Sequence, residues 1–103
     1  MTKPVSEQES ARWGALIEEM VMFRRDLHRH PELSWKETET AQRIRDGLDR
    51  LGIAWHACAE TGTVARLAPH AGGRHIALRG DIDALPIHEE SGRDWSSGHS
   101  GCM

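Results

Sequence analysis

The 103 residues allow one domain at most, and a hydrophobic content of 38% with a single Phe and no Tyr predicts a modest core. A net charge of −3, with acids and bases interspersed, excludes the basic surface that a nucleic-acid partner requires. The sequence contains no membrane-spanning apolar run and no secretion-type opening, and its two cysteines stand far apart, so we expect a cytoplasmic protein without a membrane partner.

The first predicted element is an amphipathic helix. Residues 1–9 are polar, and we expect a disordered tail that ends where Ser10 caps this helix. Apolar side chains then recur at helical spacing for about four turns, until Pro31 ends the pattern. His28 and His30 near its end are two residues apart and would point to different faces, so they make a poor pair of metal ligands.

The second predicted element is a helix that begins after Ser34. Glu37 follows this serine at the spacing of a capping box, in which each side chain bonds the backbone N–H of the other residue. Gly52 is typical of a residue that ends a helix. One apolar stripe lies between these signals and consists of Ala41, Ile44, Leu48 and Leu51.

Three segments with the composition of short strands follow, at residues 53–58, 64–67 and 75–79. Residues 69–73 are rich in Pro and Gly, so we expect the second and third strands to pair as a hairpin around this loop. The predicted class is α/β, with two N-terminal helices followed by short strands of a mixed sheet.

Two carboxylates, Asp81 and Asp83, follow the last of these segments and are the candidate site residues. They would share one face if the strand continued through Ile82, because side chains alternate along a strand. Hard divalent cations favour carboxylate oxygens, and strand ends are frequent ligand sites in α/β sheets. The alternative, which spacing alone favours, is that both aspartates cap backbone amides of a turn.

Two further alternatives concern the same part of the chain. His88, His99 and Cys102 could join the aspartates in a metal site, although their spacing is neither helical nor that of a Cys-x-x-Cys motif. Arg79-Gly80-Asp81 matches a cell-adhesion tripeptide. The second alternative is disfavoured because the tripeptide follows a strand that we expect to be buried, in a chain without a secretion signal.

Three segments together resemble the N-terminal part of a family of metal-dependent amidohydrolases. They are RRDLHRHPELSWKETETA, GLDRLGI and ALRGDIDALPIHEESGRDWSSGHSGCM, at residues 24–41, 47–53 and 77–103. The family includes hippurate hydrolases, N-acyl-amino-acid deacylases and auxin-conjugate hydrolases, within a wider clan of zinc peptidases. The resemblance implies that residues 10–103 are the incomplete N-terminal part of a metallopeptidase-type catalytic domain with a dinuclear metal site.

The same resemblance assigns different roles to the two aspartates. In the family, the Met that matches Met103 is followed at once by a His-Ala-Cys-Gly-His-Asp run with the first metal ligands, and a later glutamate is the general base. It therefore implies no catalytic residue and no certain metal ligand in this sequence. Asp83 matches a carboxylate that orients ligands, whereas Asp81 stands where related peptidases have a ligand His and is the weaker candidate. Cys102 precedes Met103 and is not the ligand cysteine.

For the complete enzyme, the resemblance implies hydrolysis of the amide bond of N-acyl amino acids or small peptides. It implies zinc, manganese, cobalt or nickel ions, none of them held by this chain alone, and an inserted dimerisation domain that would allow a homodimer. We expect the 103-residue chain itself to be inactive. The alternative is a truncated, non-catalytic remnant or interaction module.

Overall fold

The computed structural model describes residues 3–103. Its elements in chain order are α1 (Glu7–Arg29), α2 (Thr38–Arg50), β1 (Trp55–Cys58) and β2 (Gly62–Ala65). The α/β class with two N-terminal helices is confirmed, although the strands form a two-stranded antiparallel sheet rather than a mixed one. Neither helix in this part of the chain combines the length and apolar character needed to cross a membrane.

Helix α1 begins earlier than the sequence analysis predicted. The Ser6 hydroxyl accepts a hydrogen bond from the Glu9 N–H (3.1 Å), and the Glu9 carboxylate accepts one from the Ser6 N–H (3.1 Å). This reciprocal capping box satisfies two N–H groups that a helix start otherwise leaves unpaired. The predicted cap at Ser10 is therefore wrong, and residues 7–9 form the first turn instead of a tail. Residues 1–2 of the predicted tail lie outside the described residues.

Helix α2 is present, but its predicted capping box is not. Glu37 is the residue immediately before the helix, and its side chain does not form a capping hydrogen bond to the first turn. The start of α2 is capped from outside by Glu32, whose carboxylate accepts from the Glu39 N–H (3.2 Å) and from the Thr40 N–H (2.5 Å) and hydroxyl (2.6 Å). The Ser34 hydroxyl donates to the Asp83 carboxylate instead.

Strands β1 and β2 form a tight hairpin in which Trp55 lies opposite Ala65 and Cys58 opposite Gly62. Ala59 and Glu60 in the connection both have positive φ, as the short turns that suit twisted hairpins require. The expected pairing of 64–67 with 75–79 is therefore wrong. A short connection closes with a smaller loss of entropy than the longer loop around residues 69–73.

The third predicted strand, at residues 75–79, is absent from the described chain. Ile76 is 88% exposed and Leu78 is 97% exposed, so the apolar run that suggested a buried strand is in solvent. A strand requires a neighbour for its N–H and C=O groups, and in the described chain the sheet consists of β1 and β2 alone, so residues 75–79 do not pair with the open edge of either strand. The burial argument against an adhesion role of the tripeptide at Arg79 is therefore also wrong.

The buried part of the molecule is small and mostly polar. Ala41 is 1% exposed, and its neighbours Thr40 and Glu37 are nearly as well buried. Among residues 3–103, no large side chain is fully buried. Helix α1 has no buried residue, and the apolar side chains of Trp13 and Ile17 are mainly exposed. The predicted apolar stripe of α1 is therefore not covered by a sheet.

Polar contacts hold α2 against the hairpin. The Arg45 guanidinium donates to the Thr63 hydroxyl (2.9 Å) and to the Gly62 carbonyl (3.0 Å). The Thr61 hydroxyl donates to the buried Glu37 carboxylate (2.8 Å). Because these bonds join two elements at several points, they fix the hairpin on α2 without a large apolar interface.

Candidate functional site

The segment with the two aspartates is held between two other segments by backbone hydrogen bonds. Leu33 and Ala84 form an isolated parallel bridge, and the Ala84 N–H donates to the Glu32 carbonyl (2.8 Å). On the other side, Leu85 and Met103 exchange N–H to carbonyl bonds of 2.7 and 2.9 Å. Residues 81–85, called here the aspartate segment, thus lie between the loop that joins the helices and the segment at Met103.

A cleft of about 490 Å³ opens beside this arrangement. Its walls come from the end of α1, from residues 81–84 and from the side chains of Trp95 and Met103. The structure therefore brings both sequence-predicted aspartates to one cleft, together with His28. The cleft carries both signs of charge, because Arg24 and Arg25 line it as well.

Asp83 forms a long-range contact within this site. Its carboxylate accepts a hydrogen bond of 2.5 Å from the Ser34 hydroxyl, 49 positions away in sequence. The contact explains why Ser34 is not the cap of α2, because its hydroxyl is directed at the carboxylate. Asp83 thereby links the aspartate segment to the loop between the helices.

Asp81 has a different environment. Its carboxylate lies 3.0 Å from the Arg79 guanidinium, and the two side chains are 70% and 90% exposed. An ion pair this exposed contributes little to stability, because solvent screens it. The two aspartates therefore differ, with Asp83 fixed by a distant element and Asp81 paired locally at the surface.

The described residues do not by themselves form a complete ligand set for a metal ion. Within residues 3–103, no three His, Cys, Asp or Glu side chains approach one another closely enough to share one. His88, from the alternative site, accepts a long bond (3.5 Å) from the Gly101 N–H, and Cys102 is a free thiol. Asp81 and Asp83 supply carboxylate oxygens, which suit hard cations, but are too few for a complete site.

The structure also shows a cluster around Glu89 that the sequence analysis missed. This carboxylate is 2.7 Å from His28 Nε2 and accepts from the Ser97 N–H (2.8 Å) and the Ser91 hydroxyl. The Glu89 side chain is only 7% exposed. The hydrogen bonds from Ser91 and Ser97, with a further contribution from His28, lower the pKa of Glu89 to about 2 although desolvation opposes them. The only sequence signal was an acid among serines in a polar segment.

Glu32 is the second carboxylate that was missed. Burial raises the pKa of its carboxyl group, but hydrogen bonds from the Thr40 hydroxyl and from the Thr40 and Glu39 N–H groups outweigh that effect. The net result is a lowered pKa for Glu32. This carboxylate therefore stays ionised at neutral pH, at a helix start where a negative charge is stabilised. A pattern confined to neighbouring residues could not show this contact.

Comparison with known proteins identifies relatives of the chain. No protein-family model matches it. It is 41% identical over 98 residues to the N-acetyl-L-cysteine deacetylase of Bacillus subtilis, an alignment that covers 94% of this chain and 24% of that protein. It is 40% identical over 86 residues to the N-acyl-L-amino acid amidohydrolase of Geobacillus stearothermophilus, which covers 82% of this chain and 23% of that protein.

A solved structure also matches. The YXEP protein of Bacillus subtilis, described as a dinuclear metal-binding peptidase from the M20 family, superposes with a TM-score of 0.80 at 39% identity. The match covers 87% of this chain and 26% of that one. The chain thus spans about a quarter of the length of the relatives that it matches. Sequence and fold agree, and over most of its length the chain is similar to about a quarter of an N-acyl-amino-acid amidohydrolase, of a deacetylase and of a peptidase from the M20 family.

Proposed function

We propose that this chain is part of a metal-dependent amidohydrolase that cleaves the amide bond of N-acyl amino acids or small peptides. The observation that supports this most strongly is the TM-score of 0.80, at 39% identity, to a dinuclear metal-binding peptidase. Two relatives are named as a deacetylase and an amidohydrolase, which supports an amide as the bond that is cleaved. In the proposed enzyme, the cleft that Asp83 lines is the part of the active site that this chain provides.

The chain supplies binding and positioning groups rather than the complete catalytic set. An amide is a poor electrophile, so its hydrolysis requires polarisation of the carbonyl and a base that activates water. A catalytic zinc site usually has three protein ligands, and Asp81 and Asp83 provide two carboxylates at most. We therefore propose that divalent ions, zinc, manganese, cobalt or nickel, bind with ligands from the rest of the enzyme.

Within this site, Asp83 is the proposed positioning residue and Asp81 the weaker candidate. The Ser34 hydroxyl fixes the Asp83 carboxylate, whereas Asp81 forms an exposed pair with Arg79. A carboxylate that orients metal ligands must itself be held in place. In the whole enzyme, Asp83→Ala should lower metal affinity or activity by about 10–100-fold, the range for partners of metal ligands.

Two matched variants make this test specific. Ser34→Ala removes only the hydroxyl that holds Asp83 and should produce a smaller loss in the same direction. Asp81→Ala removes an acid two positions away and should have less effect than Asp83→Ala. Full activity of Asp83→Ala would assign both aspartates to the capping of a turn.

The decisive experiment for the function begins with the gene. We expect the nucleotides after the Met103 codon to encode His-Ala-Cys-Gly-His-Asp in frame. The protein from the complete reading frame should hydrolyse hippurate or N-acetyl amino acids in the presence of one of the four metals, and a chelator should abolish turnover. A stop codon at that point, or a complete protein without turnover on any N-acyl amino acid, would contradict the proposal.

For the whole enzyme we further propose a cytoplasmic location and a homodimer. Cell fractionation and light scattering of the purified protein test these two points.

The second candidate function, a non-catalytic interaction module, gains support from one observation. Large apolar side chains such as Trp13, Ile76 and Leu78 are mainly exposed, as on a surface that another protein covers. This alternative predicts a stable complex of the 103-residue chain with a partner, without any turnover.

A further inference from the structure

The segment from Leu85 to Met103, termed here the terminal loop, closes on itself. Its two end residues exchange backbone hydrogen bonds of 2.7 and 2.9 Å, so the loop leaves the aspartate segment and returns to it. Compact loops with adjacent ends are commonly held together by their own side chains. Inside the terminal loop, the Ser97 hydroxyl donates to the Cys102 carbonyl (2.6 Å).

Three contacts fasten the terminal loop to the end of α1. Glu89 contacts His28 at 2.7 Å, the Arg25 guanidinium carbon lies 3.7 Å from the centre of the Trp95 ring, and the Gly98 N–H donates to the Arg29 carbonyl (2.9 Å). The last contact is close, because a Cβ on Gly98 would lie 3.0 Å from that oxygen. The three contacts involve Arg25, His28 and Arg29, which all lie at the C-terminal end of α1.

Glu89 differs from the other two contacts because it acts on both sides of the interface. Its carboxylate accepts from His28 on α1 and from Ser91 and Ser97 within the terminal loop. An ionised carboxylate is only an acceptor, so His28 Nε2 must carry the proton of their hydrogen bond. Hydrogen bonds to a charged acceptor are stronger than those between neutral groups.

We infer that Glu89 is a positioning residue that holds the terminal loop against the end of α1 and so keeps Met103 beside Asp83 at the cleft. The consequence of this positioning for catalysis rests on the proposed function, because that function places the cleft at the active site. The positioning itself is measured by amide exchange in the protein from the complete reading frame and requires no turnover. A failure of the loop experiment is therefore distinguishable from a failure of the proposed function.

The experiment measures amide hydrogen exchange by NMR in Glu89→Ala and in the matched control Glu90→Ala. The control removes an equal charge from the adjacent, exposed position. Two informative amides are those of Gly98 and Met103, which donate to the carbonyls of Arg29 and Leu85 and not to Glu89. Glu89→Ala should speed exchange at both by about 10-fold, the effect of losing a charged hydrogen bond, and Glu90→Ala should not.

A second variant and a spectroscopic measurement separate positioning from general stability. Glu89→Gln keeps the size of the side chain and one acceptor oxygen, so exchange at Gly98 and Met103 should lie between that of wild type and Glu89→Ala. The ¹⁵N shifts of the His28 ring should show a protonated Nε2 in the wild type. The inference is overturned if Glu89→Ala and Glu90→Ala give equal exchange, if amides of the β1–β2 hairpin lose as much protection as the terminal loop, or if Nε2 of His28 carries no proton.

Discussion

The cap that Glu32 provides for α2 leads to a quantitative prediction. Glu32→Ala removes two bonds to backbone N–H groups, at Glu39 and Thr40, and one bond to the Thr40 hydroxyl. Loss of a single capping side chain costs about 0.5–2 kcal/mol. Because the lost group is ionised, partly buried and serves three donors, we expect about 1–2 kcal/mol, or roughly a tenfold change in the folding equilibrium.

The assay is urea unfolding followed by circular dichroism, and Glu39→Ala is the matched control. Glu39 is an exposed acid in the first turn of the same helix, so its removal reports the charge effect at the helix start without loss of the cap. Glu32→Gln keeps an acceptor oxygen and should fall between wild type and Glu32→Ala. If Glu32→Ala costs no more than Glu39→Ala, the carboxylate contributes only charge and the capping account is wrong.

Three further predictions concern acid, association and activity. The pKa of Glu89 falls from 4.5 to about 2 on folding, so the stabilising effect of this carboxylate is complete above pH 4.5 and is lost as the pH falls toward 2. The NMR shift of the Ser97 amide should follow this change. A terminal loop that is unaffected at pH 2 would contradict the prediction. The exposed side chains of Trp13 and Leu78 predict concentration-dependent association of the 103-residue chain, whereas a sharp two-state transition independent of concentration would argue against it. This chain should hydrolyse no N-acyl amino acid with zinc, manganese, cobalt or nickel, and chelator-sensitive turnover would overturn our placement of the ligands.

The helices were predictable because their signals are local. The apolar spacing of α2 and Gly52 at its end belong to one short window of sequence, and the structure places the helix there. The helix starts were less predictable, because each had two candidate caps. These are Ser6 and Ser10 for α1, and Glu32 and Ser34 for α2. Ser6 with Glu9 satisfies two donors at once and is used instead of Ser10. Glu32 reaches α2 across the intervening loop, a contact that spacing does not encode.

Strand pairing and the site depend on contacts between distant parts of the chain. Residues 75–79 have the composition of a strand, but composition does not supply the neighbouring strand on which their hydrogen bonds depend. The aspartates were selected as candidates because they follow an apolar run and match a motif of the family that the sequence resembles, and their role stays a prediction. The link from Asp83 to Ser34 was not, since a nearer explanation, the capping box, already accounted for that serine. Glu89 lies in a segment without hydrophobic periodicity, and the sequence around it is not distinctive enough to identify it as a contact residue.

The polar character of the buried centre has a thermodynamic consequence. Unfolding changes the heat capacity mainly through newly exposed apolar surface, whereas exposed polar surface acts in the opposite direction. The buried residues around Ala41 include Thr40 and Glu37, and no large side chain of residues 3–103 is fully buried. The chain should therefore have an unusually small heat capacity of unfolding for its length, and its stability should vary little between cold and moderate temperatures.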